Sequence, residues 1–206
     1  MVRSGISCFK RHLVFVCVVP LLLLGTYQTF VFGGLAKVEK TGQIKSFSAG
    51  DDGDLKKGVK WPNPRFTDNG NGTVKDNLTG LIWLKHASAF GLRTWEQALS
   101  DANPLASGSA GLTDGSVAGD WRLPNVKELE SLIDFAYFGP ALSSASGKSK
   151  WTNGDAFIGV QSYLYWSSTT YSNETTDAWS VGLNVGDVYG GNKANAACVW
   201  PVRAGQ

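Results

Sequence analysis

The stretch PRFTDNGNGTVKDNLTGLIWL, residues 64–84, carries the sharpest structural signals in the chain. Arg65–Asp68 and Thr73–Asp76 are two short strand candidates around Asn69-Gly70-Asn71-Gly72. Asn-Gly pairs accept the positive φ that tight hairpin turns require, so this is a hairpin. Asn77–Gly80 makes a second turn, and Leu81–Leu84 is apolar enough to be a buried strand. Two reversals within so short a stretch begin an antiparallel sheet.

Working outward, Thr94-Trp95-Glu96-Gln97 has the form of a capping box. Trp95, Ala98, Leu99 and Ala102 follow at helical spacing until Pro104. A Gly/Ser/Ala loop covers residues 106–119. Asn125 then caps a second helix with Glu128 at its third position, and Val126, Leu129, Leu132 and Ile133 form the inner face. The last third reads as β. Tyr163–Trp166 is one strand. Trp179, Val181 and Leu183 alternate with Ser180 and Gly182 as in a half-buried strand. Residues 184–195 form a Gly/Asn-rich hairpin region around Val188 and Tyr189. Ala197–Val202 is a final strand that Pro201 places at an edge or sheet end. The expected fold is α+β: two helices packed on one side of a twisted antiparallel sheet, with long loops.

Composition agrees. Hydrophobic residues make up 43% of the 206, enough for a core, and charged residues only 17%. The 25 glycines and eight tryptophans suit a turn-rich fold of short strands better than a helical bundle. Arg3, Lys10 and Arg11 precede an apolar run, Leu13–Ala36, that Pro20 and Tyr27-Gln28-Thr29 interrupt. Basic, apolar, then small residues is the layout of a secretory signal, with cleavage after Ala36 preferred to an uncleaved anchor. An anchor would hold the chain to the membrane through residues 13–36, with the body outside. Either way the body is expected to be exported to the periplasm, the cell surface or the medium. That body carries 16 basic and 17 acidic residues, which excludes a whole-domain electrostatic grip on nucleic acid. Cys198 is its one cysteine, so disulfides do not staple it.

Residues 37 to about 60 are polar and read as a linker on composition alone. Within them Asp51-Asp52-Gly53-Asp54 lacks the full calcium-loop spacing and its distal glutamate, so a turn is expected there and no metal site.

Taken together, TGQ at 41–43, GDDGDLKKGV at 50–59, PNPRFTDNGNGTVKDNLTGLIW at 62–83, WRLPNVKELESLID at 121–134, YWSST at 165–169 and VWPVRAGQ at 199–206 resemble the Lcl C-terminal-domain family. That bacterial family was first described as a domain of unknown function. It is named after the end domain of a collagen-like surface adhesin. The resemblance covers about residues 41–206. It implies a C-type-lectin-like core, similar also to formylglycine-generating domains, with ligand carried by the loops of the late strands. It also implies that residues 41–60 belong to the domain, against the linker reading. The chain lacks the adhesin's collagen stalk, so fibre-type multivalent adhesion does not carry over.

The catalytic inventory argues against an enzyme. His86 is the one histidine of the body, too few for a His-rich metal site. Ser167 and Ser168 lack a nucleophile elbow. Glu128 and Glu130 stand two apart on a helix and do not face each other. A Cys198–His86 dyad is the remaining arrangement, and structural roles for both are expected instead. The sequence names no cofactor.

The expected function is therefore binding, to a glycan or protein ligand outside the cytoplasm. Aromatic faces stack on sugar rings or peptide side chains, and Asn and Asp add hydrogen bonds. Tyr171, Asn173, Asp187, Tyr189 and Asn192 fall in expected loops and are the ligand candidates; Trp166, Trp179 and Trp200 are expected in the core. The alternative is a structural or assembly domain of the envelope without a glycan ligand.

Overall fold

The computed structural model describes residues 38–204. The signal or anchor expected over residues 1–36 lies outside the described residues, and among those described no helix is long and apolar enough to cross a membrane.

Two sheets form where one was expected. β1 (Phe66–Asp68), β2 (Thr73–Asp76), β3 (Ile82–Leu84) and β9 (Val202–Arg203) make a four-stranded antiparallel sheet in that order. The hairpin register pairs Phe66 with Asp76 and Asp68 with Val74. At its turn Gly72 takes φ +83°, and a Cβ there would stand 2.3 Å from the Gly111 carbonyl oxygen, so only glycine fits. The second sheet runs β4 (Leu92–Arg93), β8 (Ala197–Cys198), β5 (Leu164–Thr170), β6 (Asp177–Gly182), β7 (Asp187–Asn192). Its pairs are antiparallel except β5 with β8.

The closing stretch explains the difference. It is not one edge strand. Ala197–Cys198 lies inside the five-stranded sheet, the chain crosses over at 199–201, and Val202–Arg203 joins the other sheet beside β3. Pro201, which cannot donate to a ladder, falls at the crossing. Trp200 is fully buried there. Its indole N–H donates to the Leu84 carbonyl at 2.7 Å, and its ring meets Trp83, Phe157 and Tyr165 at centroid distances of 4.9–5.5 Å.

α1 (Asp52–Leu55), α2 (Trp95–Ala102) and α3 (Val126–Glu130) are all short. Thr94 and Asn125 close the expected capping boxes on α2 and α3. The helices do not share one side of a sheet. Ala98 of α2 packs with Trp166 and Ala178 on one face of the five-stranded sheet. Leu129 of α3 belongs to the main core with Tyr165 and Val181, whose side chains leave the opposite face. With both faces covered, β6 is not half-buried: Ala178, Ser180 and Val181 are all inaccessible, while Trp179 is only part-buried.

Residues 38–60 pack onto the body. Glu39 pairs with Val59 in a bridge, and the Phe135 N–H donates to the Thr41 carbonyl at 2.8 Å. The Asp51 carboxylate accepts the N–H groups of Phe47 and Asp54, at 2.7 and 2.8 Å, which hold it below the usual carboxylate range. Asp54 accepts from the Gly50 N–H at 3.0 Å, and Asp52 takes the Thr41 hydroxyl. These carboxylates serve backbone geometry.

Candidate functional site

The five-stranded sheet ends at β7, an edge strand that is largely exposed. Its sequence accounts for the exposure. Asp187, Gly190, Gly191 and Asn192 offer little apolar surface, so the strand pairs with β6 through its backbone and has nothing large to bury. Side chains along a strand alternate between faces, and this alternation divides the expected ligand residues.

Tyr189 sits opposite Ser180 and is 57% exposed. It lines a groove of about 310 Å³ with Tyr163, Leu164, Trp166, Ser180, Gly191 and Asn195. Gly191 forms part of the floor: a Cβ placed there would lie 3.4 Å from the Trp166 ring. Asp187 is on the same face, over Gly182, outside the groove lining. Tyr171 belongs to the other face. Its ring meets Trp179 edge-on at 4.6 Å and rides over Gly190, so it covers the sheet. Asn192 braces the following turn, accepting from the Ala194 N–H at 3.0 Å and donating to Asp177 at 3.3 Å. Asn173 is exposed in the β5–β6 connection. Three of the five, Asp187, Tyr189 and Asn192, are thus on a strand and not in a loop. The structure brings Tyr189 and Asp187 together and keeps Tyr171 and Asn192 apart from them.

Sequence reasoning missed Tyr163, which is 48% exposed and lines the groove together with Tyr189. The strand expected over Tyr163–Trp166 begins one residue later, at Leu164 of β5. Tyr163 also lines an adjoining pocket of about 650 Å³ with Ser88, Leu92, Gln161 and Ser162, whose lining includes Cys198. Both volumes fall in the range of roughly 300–1,000 Å³ typical of small-ligand sites. Trp166, expected in the core, is 2% exposed, and its indole N–H donates to the Arg93 carbonyl at 2.9 Å.

A second cleft, about 660 Å³, lies between residues 38–41 and the α3 region. Beneath it Arg65 and Asp76 form a fully buried ion pair at 3.0 Å, and Arg65 also donates to the Ser131 carbonyl at 2.7 Å. Burial pushes the Glu39 and Asp134 carboxyls up to about 6, against the attraction of Arg65.

Burial lifts the Cys198 thiol to about 11, which keeps it protonated at neutral pH. His86 lines a different pocket, beside Gly72 and Gly111. Among the described residues no three of His, Cys, Asp and Glu stand close enough to share a metal ion. Arg122 makes a two-pronged pair with Glu128 at 2.6 and 2.7 Å and also donates to the Leu123 carbonyl at 3.3 Å.

The described residues thus form a mixed α+β fold of two sheets with few helices. The family model of the Lcl C-terminal domain matches residues 72–203, and the chain belongs to that family. Membership suggests a bacterial surface-associated domain. No curated protein matches the chain.

Proposed function

We propose that the chain is an exported, non-enzymatic ligand-binding domain of the bacterial envelope, adhesin-like, with carbohydrate as its ligand class. The observation that carries this reading is the groove lined by two half-exposed tyrosines, Tyr163 and Tyr189, with Gly191, Ser180 and Trp166. Exposed aromatic rings beside small hydrogen-bonding side chains suit the flat apolar faces and hydroxyl rims of sugars. The finer architecture that goes with it is C-type-lectin-like. Two sheets joined by a crossing strand, with long irregular connections, support that assignment. Export rests on the charge and hydropathy order of residues 1–36.

The second reading, an assembly domain, draws on β7. Asp187–Asn192 pairs with β6 along one side, and no strand among the described residues pairs with its other side. Such an edge accepts a strand from a partner.

The test is a glycan array probed, with and without calcium, by protein recovered from the envelope fraction. Selective glycan binding that survives calcium removal is expected, because no carboxylate among the described residues lines the groove. Silence on the array, with a defined complex purified from envelope extracts, would favour assembly. Recovery of the full-length chain only from the cytoplasm would overturn export.

A further inference from the structure

Hydrogen bonding inside the five-stranded sheet fixes which backbone groups β7 leaves over. The Lys193 N–H donates to the Thr176 carbonyl at 2.9 Å, and the Tyr189 carbonyl accepts from the Ser180 hydroxyl at 3.0 Å. Tyr189 and Lys193 therefore turn their main-chain groups toward β6. This direction alternates along a strand, so Val188, Gly190 and Asn192 turn their N–H groups to the open side. The register with β6 runs unbroken from Asp187 to Asn192. Sheet edges are commonly blunted by a bulge, a proline or extreme shortness. β4, at the other edge of this sheet, has two residues, whereas β7 has six and neither a bulge nor a proline.

Deepening the edge-pairing reading above, and independent of the glycan reading, we infer that β7 pairs with β7 of a second copy of this chain, antiparallel about a two-fold axis at Gly190. Outward groups must meet outward groups, so the axis passes through a residue and not between two. Centred on Gly190, the pairing sets Asp187 opposite Lys193 of the second copy, and two-fold symmetry repeats that match. Asp187, Tyr189, Gly191 and Lys193 share one face, on which the Lys193 ammonium lies over the Trp95 ring at 4.0 Å. Tyr189 falls across from Gly191, a large side chain against none. Moving the axis to Tyr189 or Gly191 brings Asp187 opposite Gly191 or Asn195 and separates the opposite charges. The axis of such a seam is perpendicular to the sheet, so the Tyr189 grooves of both copies open on one face.

Sedimentation equilibrium of protein recovered from the envelope fraction tests this. Raising the concentration from about 1 to 300 μM moves the mass from one chain toward two. Val188→Pro removes an outward N–H and no bond to β6. It raises the dissociation constant at least about tenfold and leaves the Tm of dilute protein unchanged. Asp187→Lys sets like charges opposite each other and weakens pairing, more at about 50 than at about 300 mM salt. Amide exchange followed by NMR slows at Val188, Gly190 and Asn192 as concentration rises. A one-chain mass at every concentration overturns the inference, as does a dimer that neither variant weakens. A defined envelope complex that Val188→Pro abolishes would then leave edge pairing standing, with a partner other than this chain. Survival of that complex in Val188→Pro overturns both.

Discussion

Trp121 shows how a single residue can be assigned before its surroundings are known. It precedes the Asn125 cap by four residues, and an aromatic there packs against the start of the helix. In the structure it is fully buried, its indole N–H donates to the Ser116 hydroxyl at 3.0 Å, and the Arg203 guanidinium lies 5.5 Å from its ring. Trp121→Ala removes a large buried ring and a hydrogen bond, and is expected to destabilise by about 3–5 kcal/mol in denaturant melts. A loss below about 1 kcal/mol would contradict its structural role. Arg65 was not legible in the same way. The hairpin read from residues 65–76 folds Asp76 back beside Arg65, but no local pattern says that the pair is fully buried. Tyr163 escaped for the converse reason. Aromatics adjoining a strand are usually inside, and only the position where β5 begins puts this one at the rim.

At the scale of elements, local chemistry was read well and partnership poorly. The 66–76 hairpin and both capping boxes depend on residues within a few positions of one another, so the chain states them directly. The division of residues 197–203 between two sheets depends on pairing with β3, β4 and β5, all distant in sequence, and no short pattern encodes it. The 38–60 segment carries a pH signature of its docking. Glu39 and Asp134 face Arg65, with Asp76 and Glu130 adding repulsion on Glu39, and burial raises both carboxyls to about 6. Between roughly pH 4 and 6 the folded chain therefore holds more protons than the unfolded one, so stability falls as pH rises through that window. Thermal melts are expected to show a higher Tm near pH 5 than at pH 7, and Glu39→Gln to flatten that difference. Below about pH 4 the trend reverses, because Asp68, held down by Lys85, and Glu128, held down by Arg122 against its own burial, lose their partnerships on protonation. A Tm that rises steadily from pH 5 to pH 7 in the wild type would contradict the burial of these two carboxyls.

For the molecule as a whole, the placement of the ligand surface matters more than any one contact. Polar, glycine-rich sequence at residues 184–195 announced an exposed end of a sheet, and β7 is that edge. Which of its side chains share a face was not announced, because alternation along the strand and the opposing positions of Tyr163 and Tyr171 follow from pairing with β6. The groove between Tyr163 and Tyr189 is the result, on the face of the sheet where Trp166 and Ser180 also lie. Amide hydrogen exchange on the full-length protein, with and without the tightest-binding glycan of the array, tests that placement most directly. The account predicts slowed exchange confined to residues 161–166 and 187–195. Slowing instead at the 171–176 turn, or in the cleft between Glu39 and Phe135, would contradict it.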